Sequence, residues 1–139
     1  MRKKLAAVII ISLLVITAAF ALSACTGGSA KVPSSVKDFT SSKQTSGNVS
    51  VVNYQTIVKA DANWDTMSLA DKQKVINYAF AEARAQAAAN DVTYFNVMGK
   101  SEPKEGEESQ VLFMYDKDKD NVIIYVNGEK TDTVPTPAE

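Results

Sequence analysis

Three aspartates at alternate positions, Asp116, Asp118 and Asp120 in the stretch DKDKDN, form the sharpest chemical pattern in the chain. In a calcium loop the first, third and fifth positions present oxygens to a hard cation, so these acids are the calcium candidates. The rest of that pattern does not follow. Asn121 stands where the loop needs glycine, Asn127 where it needs a bidentate glutamate, and the flanks read as strands rather than helices. The competing reading is a hairpin turn, in which Asp and Asn supply turn conformations and Lys117 and Lys119 damp repulsion. No metal is favoured, and no cofactor is expected.

Histidine is absent from the 139 residues. That removes the usual neutral-pH general base, the commonest metal ligand, and the Ser-His and Cys-His pairs of nucleophilic catalysis. Carboxylate pairs of the glycosidase kind stay open, since 16 acidic residues are present and two facing each other across a cleft suffice. A cell-wall-acting hydrolase is therefore the catalytic alternative, although no spacing selects a pair. Glu102, Glu105, Glu107 and Glu108 cluster with Lys100 and Lys104 in KSEPKEGEES. Such a run reads as a solvated loop, with a cation or basic partner as its functional alternative. The expectation is that the chain is not an enzyme.

The single cysteine, Cys25, closes a different pattern. Arg2, Lys3 and Lys4 precede LAAVIIISLLVITAAFAL, an 18-residue run without charge, and small residues follow. Basic head, apolar centre and small residues before a cut are the order of a secretory signal. A run of this length also reaches the lower limit for a membrane-spanning helix, so an uncleaved anchor is the rival reading. The ending favours the signal. Leu22-Ser23-Ala24-Cys25 resembles the lipobox of bacterial lipoproteins, and the resemblance covers residues 1–25 only. It implies cleavage before Cys25, a diacylglyceryl group on its sulfur, and often a further chain such as palmitate on the new amino terminus. Two or more chains hold a protein stably on a bilayer, each buried methylene contributing about 0.8 kcal/mol. The implied address is the extracytoplasmic side of the cell membrane, or the outer membrane in a host with two, since Thr26 is not the aspartate typical of inner-membrane retention.

Once Cys25 is lipidated no cysteine remains for a disulfide, so packing alone must hold the fold. The formal net charge is −1, from 15 basic and 16 acidic residues; without Arg2, Lys3 and Lys4 the balance is 12 against 16. A mildly acidic surface argues against nucleic acid and against electrostatic adhesion to anionic lipid. Residues 1–24 read as the signal peptide and 25–48 as the lipidated cysteine with a flexible Ser/Thr/Gly-rich linker. Residues 49–130 read as a small domain, and 131–139, with Pro135 and Pro137, as a frayed tail.

Within the domain, Val52, Tyr54, Thr56 and Val58 alternate on one side of a strand expected from about Val49 to Lys59. Ser68 and Asp71 have the spacing of a capping box. They precede a long helix in which Leu69, Val75, Ile76, Ala79, Phe80, Ala83 and Ala87 form an apolar stripe, while Asp71, Lys74, Asn77, Glu82 and Arg84 should face water. Asn90, tolerant of the left-handed conformation, is the expected stop. VTYFNVMG, QVLFMYD and NVIIYVNGE read as three further strands in a meander. The expected fold is α+β: one long helix packed on a roughly four-stranded, mainly antiparallel sheet, in the order strand, helix, strand, strand, strand.

Both faces of the last strands are apolar. Val111, Phe113 and Tyr115 oppose Leu112 and Met114, as Val122, Ile124 and Val126 oppose Ile123 and Tyr125. One helix covers one face, so the other must meet the segment around Trp64, a second copy, or a partner. The candidate partner surface is Leu112, Met114, Ile123 and Tyr125, joined by Tyr54, Trp64 and Tyr94 as aromatics suited to stacking on sugars or anchoring a protein. Core packing is their plain alternative. The expected protein is thus a lipid-anchored, non-catalytic binding module of a bacterial envelope. Its contacts are the membrane, through the lipid on Cys25, and a protein or envelope polymer; self-association through the second face and a weak calcium-dependent role are the alternatives.

Overall fold

The computed structural model describes residues 31–139. The expected signal peptide, with Leu22, Ser23 and Ala24, and the expected lipidation site Cys25 lie outside the described residues. Within them the order is β1 (Val36–Ser46), β2 (Val49–Val58), two 3-10 turns (Ala60–Ala62 and Trp64–Thr66), α1 (Leu69–Ala89), β3 (Phe95–Ser101), β4 (Val111–Asp116), β5 (Asn121–Val126) and β6 (Glu129–Pro135). The six strands form one sheet whose spatial order repeats the chain order. β2 and β3 are parallel, and every other neighbouring pair is antiparallel. A parallel pair needs a crossover, and α1 supplies it.

This corrects the expected four-stranded sheet and its order. Two strands precede the helix and four follow it, giving a mixed, sheet-dominated fold. The additional strands come from stretches with the composition of a linker and a tail. β1 is held because Val36 and Phe39 are buried, and β6 because Val134 is buried. Tight turns join both to their neighbours. Gly47 takes a φ of 59° between the paired residues Ser46 and Val49, the first-position glycine of a type II′ turn. Asn127 and Gly128 take φ of 51° and 78° between Val126 and Glu129, as a type I′ turn requires.

The ends of α1 follow capping chemistry. The Ser68 hydroxyl accepts the amide of Asp71 at 3.1 Å, satisfying one orphan donor of the first turn. At the other end Asn90 has a φ of −110°, and the left-handed residue is Asp91 at 53°. The Val92 amide then reaches back to the Ala87 carbonyl at 2.8 Å, closing a Schellman-type cap one residue later than expected.

The core lies between α1 and one face of the sheet. Val75, Ile76, Ala79, Phe80, Ala83 and Ala87 from the helix meet Val52, Tyr54, Val58, Val97, Phe113, Val122 and Ile124 from the strands. Leu69, at the start of the stripe, is exposed, and Glu82, expected in water, is buried. Phe80 meets Tyr115 edge-on at 5.1 Å, and Trp64 lies against Phe113 at 5.8 Å. The 3-10 segment therefore packs on the helix side, closing the β5 end of the core. Among the described residues no helix is long and apolar enough to cross a membrane.

Candidate functional site

Strand alternation sends every second side chain away from α1. On that far face the pairing register lines up Thr40, Gln55, Met98, Met114, Ile123 and Thr133 as one lateral row across all six strands. Beside it, Asn53 and Asn96 are paired in register, and the Asn96 side-chain Nδ2 donates to the Asn53 side-chain Oδ1 at 2.9 Å. No element among the described residues packs on this face. Its centre is apolar and adaptable, amides and hydroxyls flank it, Lys100, Asp116 and Lys130 lie at its margins by the same alternation, and Met114 is 36% exposed.

The expected partner residues divide. Met114, Ile123 and Tyr125 lie on the open face, and by alternation from Phe95 so does Tyr94, which is 56% exposed. Tyr54, Trp64 and Leu112 are buried and leave the candidate surface. Tyr54 points into the helix layer, stacked on Phe39 at 5.9 Å and edge-on to Phe95. Trp64 is fixed from both ends: its indole N–H donates to the Tyr125 carbonyl at 2.9 Å, and the Lys72 ammonium lies 5.5 Å from its ring centre. Leu112 departs from alternation for a geometric reason. Gly99 pairs with Phe113 and Lys100 with Val111, so Leu112 is the extra residue of a bulge and turns into the cleft beside Val58 and Trp64.

Asp116, Asp118 and Asp120 fall on the β4–β5 hairpin. Asp116 pairs with Asn121 and closes the turn, Asp120 supplies its left-handed residue at φ 51°, and Lys119 lies 3.8 Å from the Asp116 carboxylate. This is the turn chemistry anticipated as the competing reading. Among the described residues no group of three acids gathers closely enough to hold a metal ion.

The glutamate loop does form one wall of a cleft of about 380 Å³, where Glu102, Glu107 and Glu108 approach Asp65 and Trp64. Two of these carboxylates are structural. Glu102 pairs with Lys37 and accepts the Ala60 amide at 3.2 Å, and together these hold its carboxyl below the usual carboxylate range. Asp65 accepts the Asn127 amide at 3.2 Å. A general acid for glycoside cleavage needs the opposite shift, a carboxyl kept protonated near neutral pH. A larger open groove of about 1380 Å³ runs between the entry to β1 and the first turns of α1; its Asp71 is lowered by the hydrogen bond from Lys74 and then by that with Ser68. Burial raises Tyr54 and Tyr78 above the ordinary tyrosine value.

The open face extends to residues that sequence reasoning did not single out: Met98, Gln55, Thr40 and Thr133. Their common row is a matter of register, which alternation within each strand does not reveal. No family model, no curated protein and no solved structure matches this chain.

Proposed function

We propose that the chain is a lipid-anchored protein of a bacterial envelope, held through Cys25 and acting as a non-catalytic binding module whose open sheet face docks a protein partner. The observation that carries the binding role is the uncovered Met98–Met114–Ile123 row, which lies on the only sheet in the described residues and opposite its helix layer. An antiparallel sheet tolerates one wet face, and that face is then normally polar. Here methionine and isoleucine occupy its middle, which suits a partner that excludes water from the centre and meets polar and charged groups at the rim. A broad sheet face fits a protein surface better than a single glycan chain, which is gripped in a groove. Glu102, engaged by Lys37 and the Ala60 amide, does not suit the general-acid role that a glycan hydrolase would need.

The test uses the full chain in its native membrane, with a photoreactive residue at Met114 and, as reference, at the exposed Gln73 of α1. The expected result is an adduct of discrete mass from position 114, lost when Ile123→Lys is added and absent from position 73. Equal labelling at both positions, or an adduct at 114 that disperses on digestion of cell-wall glycan, contradicts the proposal.

A further inference from the structure

The sheet has two outer edges, and they are unequal. β6 carries Glu129, Lys130, Asp132 and Pro135, and its register slips between Ile124 and Tyr125. Charges, proline and bulges are the devices by which an edge strand resists pairing with another chain. β1 is irregular only at its start, between Val36 and Asp38; from Phe39 to Ser46 it runs without proline or bulge and with a single charge, Lys43.

β1 also reaches beyond the sheet. β3 begins to pair with β2 at Val52, so the pairs Gln44–Val51, Thr45–Ser50 and Ser46–Val49 form a two-stranded ribbon beyond β3. Val49 is exposed there. Such a ribbon is marginal in water, and further strands stabilise it.

The turn determines which backbone groups are free. Ser46 and Val49 close a two-residue turn and exchange ladder bonds, so alternate residues of β1 direct their N–H and C=O toward β2. The hydroxyls of Thr45 and Ser50, 3.1 Å apart, match the closer side-chain approach of a pair without ladder bonds. Phe39, Ser41, Lys43 and Thr45 therefore direct theirs outward, and of these groups the Phe39 amide is already held by the Asp38 carboxylate at 2.9 Å. In an antiparallel pairing of two identical strands centred on Ser42, Ser41 meets Lys43 of the other copy and both find partners, while Phe39 meets Thr45, whose amide reaches the Phe39 carbonyl. Shifting the centre to Lys43 would set two lysines face to face, which costs stability.

We propose that the outer edge of β1 pairs antiparallel with β1 of a second copy of this chain, centred on Ser42, to give one continuous sheet across a twofold axis. The interface lies at the edge of the sheet and is independent of the open face.

The full chain in detergent tests it, with wild type reporting any cross-link through Cys25. At a pair without ladder bonds the Cα atoms lie about 4.5 Å apart, within disulfide reach. Ser42→Cys is expected to run at twice the monomer mass on non-reducing gels. Thr40→Cys, which meets Gln44 of the other copy, stays monomeric. Ser41→Pro removes an outward N–H and leaves the β2 ladder intact, so it should keep the helical signal and cooperative melting while sedimenting as a monomer. A wild-type chain that sediments as a monomer, a Ser42→Cys chain that does not cross-link above wild type, or a folded Ser41→Pro chain that remains dimeric overturns the proposal.

Discussion

Gly99 and Phe113 are paired across β3 and β4, and the Phe113 ring occupies the space that a side chain at position 99 would need. A Cβ built on Gly99 lies 2.1 Å from Cε1 of Phe113 and 2.4 Å from Cδ1. Phe113 is fully buried and also carries Trp64, so it cannot withdraw without disturbing the 3-10 segment.

Gly99→Ala is therefore expected to destabilise by at least the roughly 1–3 kcal/mol typical of overpacking. Urea unfolding measures it as a lowered midpoint at unchanged slope. Combining it with Phe113→Leu, which vacates the space, should give a total loss smaller than the sum of the two single losses.

Thr56 is expected to behave in the opposite sense. It lies in the core with no exposure, and its hydroxyl has no hydrogen-bond partner. Thr56→Val keeps the shape and removes the unpaired group, so stability should rise by about 1 kcal/mol. A drop in the melting midpoint would mean that the hydroxyl is satisfied in solution.

These two positions show what was legible. Helix α1, the Ser68 cap and the inward set Val52, Tyr54, Thr56 and Val58 follow from periodicity, because burial on one side leaves a period in the sequence. The edge strands were hidden by the same physics. β1 is solvated over most of its length, so Ser, Thr and Lys dominate it and composition suggests a linker. The turns held the missing signal: Gly47-Asn48 and Asn127-Gly128 are hairpin dipeptides that announce β1 before β2 and β6 after β5. The open face was partly legible. Met114, Ile123 and Tyr125 follow from alternation, whereas the inward turn of Leu112 depends on a bulge and that of Trp64 on a hydrogen bond to a distant carbonyl. Neither leaves a local pattern.

Stability should fall at both ends of the pH scale. Glu102 and Asp71 have folded values below the ordinary 4.5 and 3.8, held there chiefly by Lys37 and Lys74 respectively. Their contribution is complete above those ordinary values and is lost as pH falls through the folded ones. Tyr54 and Tyr78 are raised above 10.0 by burial, so their contribution is present below pH 10 and is lost as pH rises through the folded values. Denaturant midpoints across pH measure both limbs. Glu102→Gln should flatten the acid limb, and Tyr78→Phe the alkaline one.

The proposed membrane address rests on Cys25, and intact-mass spectrometry of the chain isolated from its host tests it most directly. The expected species begins at Cys25 and carries the added mass of a diacylglyceryl group on sulfur. A species beginning at Met1 with an unmodified thiol would contradict the lipid anchor and leave the apolar run of residues 5–22 to hold the protein instead.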